Sequence, residues 1–330
     1  MFDIKYHQHD ISAASFLVTG GAGFIGSNLV EYLLKFGARK VRVFDSLATG
    51  NLQNLEMFRA NPAFEFLEGD IRDLATCRKA CEGIDYVSHQ AALGSVPRSI
   101  KEPWNTNDVN VGGFVNMLTA AKDAGVKRFV YASSSSVYGD EPSLPKIEGR
   151  IGKQLSPYAV SKYANELYAS VFGTTYGMRI IGMRYFNIFG PRQDPNGMYA
   201  AVIPLFVSKI LSRETVYIDG DGEQTRDFTF VENAVQANVK AMLCENEAAY
   251  GQVYNIAVGA NFSVKQLYAN IQALLNSDHA ATYREARQGD IRNSLADISK
   301  AQQLLGYNPA FNFNKGLEIT VSYFKQLYKN

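Results

Sequence analysis

Tyr158 and Lys162 stand four residues apart in Ser-Pro-Tyr-Ala-Val-Ser-Lys (156–162), downstream of a run of four serines at 133–136. On a helix that spacing puts both side chains on one face. A cation beside a phenol favours the phenolate and lowers the phenol's pKa. Tyrosine ordinarily titrates at about 10, so bringing it near neutrality asks roughly 4 kcal/mol of its surroundings. The result would be a base that works at physiological pH, with an upstream serine hydroxyl to orient a substrate alcohol against it. In a chain with 19 tyrosines such a pair alone would also suit an ordinary helix surface. The context favours chemistry: Ser156 suits an N-cap, Pro157 a first helical residue, and the serines end an apolar strand at 128–132.

A second signal lies near the start of the chain. Phe16-Leu17-Val18-Thr19 reads as a buried strand, runs into Gly20-Gly21-Ala22-Gly23-Phe24-Ile25-Gly26, and continues as a helical pattern. Strand, glycine turn and helix form the setting of a dinucleotide-binding turn. Gly20 permits the tight turn, Gly23 lets backbone approach a pyrophosphate, and Gly26 lets helix and strand pack closely. The helix N-terminus would face the phosphates. The spacing, Gly-x-x-Gly-x-x-Gly, is one residue wider than the basic fingerprint. Asp45 ends the next strand, where an acid takes ribose hydroxyls and repels a 2′-phosphate, so NAD is expected rather than NADP. Arg42 lies inside that strand and does not change this. Asp70, after Phe64-Glu65-Phe66-Leu67, is placed either to meet the adenine side or simply to close a strand-end turn.

The elements that must position these groups alternate through about residue 190. Strands are predicted at 16–19, 40–45, 64–69, 84–89, 127–132 and 178–184, and helices at 24–36, 73–82, about 105–124 and 157–176. Segment 139–156 reads as a surface loop. Shorter pieces follow: helices near 202–211, 231–244, 263–275, 299–305 and 314–328, a strand pair near 216–230 and a strand near 252–257. The predicted fold is α/β, a doubly wound parallel sheet over 1–187 with a smaller mixed α/β substrate lobe over 188–330, parts of which could interleave. The 330 residues are 46% hydrophobic with a net charge of +1, which excludes a nucleic-acid footprint. No apolar run reaches membrane-spanning length, and the first fourteen residues are too polar for a signal peptide, so a cytoplasmic protein is expected. Three cysteines make no disulfide framework. Cys77 and Cys81 share a helical face and read as packing, the four histidines lack metal-ligand spacing, and His89 reads as structural.

Together these features resemble the extended short-chain dehydrogenase/reductase family, and within it the nucleotide-sugar 4-epimerases. The group most similar is the bacterial UDP-N-acetylhexosamine 4-epimerases, including those acting on the matching uronic acids. The likeness spans nearly the whole chain and is carried by His89-Gln90-Ala91-Ala92-Leu93-Gly94-Ser95-Val96-Pro97, Tyr185-Phe186-Asn187-Ile188-Phe189-Gly190, Gln193-Asp194-Pro195-Asn196-Gly197, Asn255-Ile256-Ala257-Val258-Gly259 and Gly289-Asp290-Ile291-Arg292-Asn293-Ser294-Leu295-Ala296-Asp297. The resemblance implies Ser134, Tyr158 and Lys162 as catalytic, with Lys162 also on the nicotinamide ribose. On the cofactor side it implies Phe24, Ile25, Ile71, Ala91, Ala92, Asn110 and Tyr185 beside the glycines, Asp45 and Asp70. On the sugar-nucleotide side it implies Gly94, Ser95, Ser134, Ser135, Asn187, Arg226, Arg287, Asp290 and Ser294, the arginines clamping a diphosphate. Ser133 stands where close relatives more often have alanine, which leaves the catalytic register open between Ser134 and Ser135. Residues 1–14 match nothing informative.

The implied reaction is transient oxidation at the sugar's C4 on NAD that is regenerated in place. Related 4,6-dehydratases carry an Asp-Glu pair where this chain has Ser135 and Ser136, which favours simple epimerisation. A small Ser294, where UDP-galactose epimerases carry tyrosine, leaves room for a 2-acetamido group. UDP-GlcNAc and UDP-GalNAc are therefore the expected pair, with N-acetylhexosaminuronates as the alternative. UDP-glucose/UDP-galactose epimerisation and a non-catalytic NAD-binding role rank below them. A homodimer pairing helices 105–124 and 157–176 is expected, with no nucleic-acid or membrane partner.

Overall fold

Short apolar runs between glycine, serine and aspartate turns become strands covered on both faces. In the computed structural model, which describes residues 1–195, 201–286 and 292–328, these are Ser15–Thr19 (β1), Lys40–Asp45 (β2), Phe64–Glu68 (β3), Tyr86–His89 (β4), Arg128–Ser134 (β5), Ile180–Tyr185 (β6) and Gln252–Ile256 (β7). They form one parallel sheet in the order β3-β2-β1-β4-β5-β6-β7. The order reverses between β1 and β4, so the connections leave the carboxyl ends in opposite directions and open a crevice there.

Alternation along β1 sorts its side chains. Phe16 and Val18 join Leu29 and Leu33 of helix Phe24–Lys35 (α1) on one face. Leu17 joins Cys77 and Cys81 of Leu74–Cys81 (α2) and Phe114 of Gly113–Asp123 (α3) on the other. Burying each such side chain contributes about 1.5–3 kcal/mol. Helix Pro157–Tyr176 (α4) covers this second face. Ser156 Oγ accepts from the Ala159 N–H at 3.1 Å, Pro157 occupies the first turn, and Gly177 at φ 67° ends the helix.

The second half does not form a separate block. Helices Val202–Leu211 (α5), Val264–Leu275 (α7) and Phe313–Leu327 (α9) surround a core of Phe206, Phe228, Leu267 and Phe313. Three short strand pairs complete it: 188–189 with 229–230, 216–219 with 281–284, and 225–226 with 262–263. Val231–Met242 (α6) and Ser299–Leu305 (α8), however, pack on the main sheet with β7. The lobes therefore interleave across residue 187.

Two expectations change, and residues 1–14, which the sequence left unassigned, take a definite place. The helix expected over 105–124 is broken into Pro103–Asn107, a π-helical turn Asp108–Gly112 and α3, and a further short helix, Val96–Lys101, precedes it. Segment 139–156 is not a plain surface loop. Lys146 and Glu148 are buried, the Lys146 N–H donates to Leu295 O, and Glu148 accepts from the Asn255 N–H. Residues 1–14 are structured: Phe2, Tyr6 and Ile11 are buried, Tyr6 stacks on Tyr32, and its hydroxyl donates to Glu232 at 2.8 Å. The aromatic residues Phe2 and Tyr6 were the available signal.

Candidate active site

The crevice is a cavity of about 1080 Å³ along the carboxyl ends of the strands. Its glycine end is made of backbone. Gly20 adopts φ 65°, and a Cβ there would lie 2.7 Å from the Ala91 nitrogen. A Cβ on Gly26 would collide with the Gly20 carbonyl. Only glycine lets α1 start this close to β1 and β4. Gly23, Phe24 and Ile25 line the same end.

Asp45 closes β2 over the cavity. Its carboxylate accepts the Ala22 N–H at 2.9 Å and the Leu47 N–H at 2.8 Å, and burial raises its pKa. Arg42 is turned away, donating to the carbonyls of Lys79, Ala80 and Glu82 at the end of α2. Asp70 lines the cavity beside Ile71. It also closes a turn, because it accepts the Arg72 N–H and pairs with the Arg72 guanidinium at 2.6 Å, which lowers its pKa. Asp70 therefore closes a turn while facing the cavity. A cradle with no room for a Cβ at Gly20 or Gly26, followed by an acid at the end of β2, fits a dinucleotide without a 2′-phosphate.

The candidate reacting groups Ser134, Tyr158 and Lys162 line the cavity further along. Lys162 is buried and its Nζ donates to Ala132 O at 2.8 Å. The Tyr158 phenol is half-buried and faces the cavity, with Ser134 beside it. Ser134 also accepts from Ser136, through its N–H at 3.2 Å and its hydroxyl at 2.9 Å. Ser134 lines the cavity and Ser135 is not among the lining residues. The expected lowering of the phenol is not present in the protein alone. Burial raises Tyr158, with neighbouring Ser134 opposing it, and burial pushes the Lys162 amine down to about 8. Desolvation disfavours both charges, and Lys162 spends a donor on a backbone carbonyl.

Other expected residues divide. Ala91, Ala92, Gly94, Ser95, Tyr185 and Asn187 line the cavity. Asn110 does not: its amide is spent on Leu93 N–H, Leu93 O and Ser161, so it holds the wall rather than forming it. Arg226 and Ser294 also lie off the cavity lining. Arg226 donates to Thr225 O, and the Ser294 N–H donates to that same carbonyl at 3.1 Å. Arg287 and Asp290 lie outside the described residues. His89 is held by Thr19 at 2.8 Å, with its pKa lowered to about 3 by burial and the neighbouring Lys162. Burial pushes the Cys77 and Cys81 thiols up to about 12, so both act as packing.

Several lining residues were not anticipated. Arg192 reaches the cavity from the second lobe and pairs with Glu31 of α1. Gln90 accepts from Tyr185 and donates to Asn238. Ser133 donates to Glu166 at 2.6 Å. Of these, Glu166 carried a readable signal, standing four residues beyond Lys162 on the same helical face. Among the described residues, no group of three or more His, Cys, Asp or Glu could hold a metal, and no helix is long and apolar enough to cross a membrane.

Comparison with known proteins places this geometry. The NAD dependent epimerase/dehydratase family matches residues 16–257. The chain belongs to that family. It is 37% identical over 311 residues to a putative UDP-glucose 4-epimerase of Methanocaldococcus jannaschii, covering 94% of this chain and 98% of the relative. Among solved structures it superposes on UDP-N-acetylglucosamine 4-epimerase from Methanobrevibacter ruminantium M1, in complex with UDP-N-acetylmuramic acid. The TM-score is 0.90 and the identity 38%, with 95% and 99% of the chains covered. It also superposes on UDP-glucuronic acid 4-epimerase from Bacillus cereus, in complex with UDP-glucuronic acid and NAD, at TM-score 0.88 and 32% identity, covering 95% and 100%. The chain is thus an NAD-dependent enzyme of this family.

Proposed function

We propose that this chain interconverts UDP-N-acetylglucosamine and UDP-N-acetylgalactosamine by inverting C4 through a transient 4-keto sugar. The coarser statement, an isomerase of the NAD-dependent UDP-sugar 4-epimerase type, rests on its family and relatives. The observation that carries the reading is that Ser134, Tyr158 and buried Lys162 line the same cavity as the glycine cradle.

Tyr158 takes the proton of the sugar's 4-hydroxyl and later returns it, while Ser134 orients that hydroxyl. Bound NAD supplies a reversible hydride acceptor and a positive charge. That charge matters here, because burial holds the free protein's phenol above its ordinary pKa and Lys162 alone does not overcome it. Lys162 adds its own charge once a phenolate forms beside it. Ser135 and Ser136 offer no carboxyl group to eliminate water, which supports epimerisation over dehydration.

Three features support the finer assignments. Ser294 lies off the cavity lining, so its support for a 2-acetamido group is its small size at a position where UDP-galactose epimerases carry tyrosine. Gly94 and Ser95 lie where the sugar would rest, and Asn187, Arg226, Arg287 and Asp290 are assigned to the nucleotide's phosphates and ribose. Exposed Val160, Leu167 and Val171 form a stripe along α4, next to exposed Ile100 and Trp104, a face suited to a second copy of the chain. The work would take place in the cytoplasm. A uronate substrate is the second reading: Ser95, Ser134 and Arg98 line the cavity together, and a hydroxyl and guanidinium set suits a carboxylate.

The test is incubation of the purified protein with UDP-GlcNAc, UDP-GalNAc, UDP-glucose and the N-acetylhexosaminuronates without added cofactor. Proton NMR then follows the configuration at C4. Interconversion of the acetamido alcohols at the highest rate is the expected result. Faster turnover of the uronates would move the assignment to them. No interconversion, even with NAD added, would overturn the epimerase reading.

A further inference from the structure

Consecutive residues at the end of β5 face α4. Ala132 O accepts Lys162 Nζ at 2.8 Å, Ser134 lines the cavity beside Tyr158, and between them Ser133 Oγ donates to Glu166 Oε1 at 2.6 Å. The first two belong to the chemistry already described. The third leads elsewhere. Glu166 is bound by Arg184 of β6 through two bonds, Nε to Oε1 at 2.9 Å and Nη2 to Oε2 at 2.7 Å. Among the described residues this is the one ion pair whose side chains are both under 10% exposed, at 1% and 7%. Arg184 is held in turn, donating to Glu148 O at 3.0 Å and lying over the Tyr138 ring at 4.7 Å.

A buried ion pair is weak evidence of stability for its own sake, because desolvation offsets much of the attraction. Its geometric content is stronger. A two-bonded guanidinium–carboxylate fork fixes direction as well as distance. Glu166 sits one helical turn from Lys162 and two from Tyr158, roughly 6 and 12 Å along the axis. Fixing it against β5 and β6 fixes how far α4 can slide or roll, and so where the phenol lies relative to Ser134. Ser133 is the link that sets this register from the catalytic strand itself.

We infer that Ser133 and Glu166 are positioning residues for the epimerisation, holding Tyr158 and Lys162 in register with Ser134 through the Arg184 fork. The inference rests on Tyr158 being the base. Ser133→Ala removes one hydroxyl and leaves the fork in place. It is expected to lower kcat about ten- to a hundredfold, the scale of a misplacement near 1 Å. KM for the UDP-sugar and the NAD content should stay within about twofold, because Ser133, although it lines the cavity, spends its hydroxyl on Glu166. Ser133→Thr keeps the hydroxyl and should restore most of kcat. Glu166→Gln should lower kcat further, and Ser133→Ala decides the matter should that variant fail to fold. Wild-type kcat in Ser133→Ala, or a Thr variant no better than Ala, would overturn the inference. Tyr158→Phe separates the premise: if that variant turns over normally, the assignment of the base is what fails.

Discussion

At the carboxyl ends of β5 and β6 the proposed reacting groups are held by side chains reaching between regular elements. On the second lobe the corresponding task falls to one carboxylate that gathers backbone. Asp227 is fully buried and accepts the N–H groups of Val258 and Gly259 at 3.1 Å and of Ala296 at 3.3 Å. Its own carbonyl accepts from Asn187 at 3.1 Å. It thereby ties the segments that carry Asn187, Arg226 and Ser294. The helix and strands of the first region already satisfy their backbone groups, so a few side-chain contacts set their register. The loops of the second arrive with unpaired N–H groups, and a buried acceptor both satisfies and arranges them. Burial raises Asp227 to about 6, while the backbone donors pull the other way.

The contrast can be broken by substitution. The largest effect is expected at Tyr158: Tyr158→Phe should lower kcat by about 10²–10⁴, with retained NAD and an unchanged melting temperature. Steady-state kinetics and cofactor release on denaturation would check it. Next, Arg184→Met leaves Glu166 buried without its partner and should cost about 3–5 kcal/mol in denaturant unfolding. A loss below 1 kcal/mol would show that the first region does not depend on its buried fork. Asp227→Asn converts one acceptor oxygen into a donor facing N–H groups. It should raise KM for the UDP-sugar by about tenfold while changing kcat less, on the order of one or two lost hydrogen bonds. A change confined to kcat would assign Asp227 to the wrong region.

The smallest effect is a pH slope. The native carboxyl of Asp227 holds its proton more tightly than the unfolded one, so the native state binds more protons between the ordinary value of 3.8 and about 6. The stability associated with this group is therefore present below that window and is lost as pH rises through it. Urea unfolding of Asp227→Asn should show a flatter profile from pH 4 to 6 than the parent chain.

The same contrast explains what could be read in advance. α1, Asp45 at the end of β2, and the pair on α4 were legible because local rules produce them: a glycine turn between strand and helix, an acid at a strand end, an i,i+4 pair behind a capping serine. The wall-holding contacts of Asn110 were not legible, because its partners Leu93 and Ser161 lie far away in sequence. Arg226 and Ser294 depend on the rung that joins Thr225 to residues 292–294. Lys146 and Glu148 looked like loop surface because their partners, Leu295 and Asn255, lie more than a hundred residues onward. The Tyr158 pKa went the other way because spacing announces a neighbouring charge but not the desolvation that comes with it.

The strand β7 carries a consequence for how the chain acquires its shape. It pairs with β6, register Gln252 with Ile181 through Ile256 with Tyr185, yet the whole of α5 and α6 is made between the two. Until residue 256 has emerged from the ribosome, β6 is an open edge of bare N–H and C=O groups beside an apolar sheet. Such non-local pairings form late and leave the nascent chain prone to association. A fragment cut at residue 187 would keep the glycine turn, Tyr158 and Lys162 but retain that open edge. Its fate is aggregation rather than service as a small NAD-binding module.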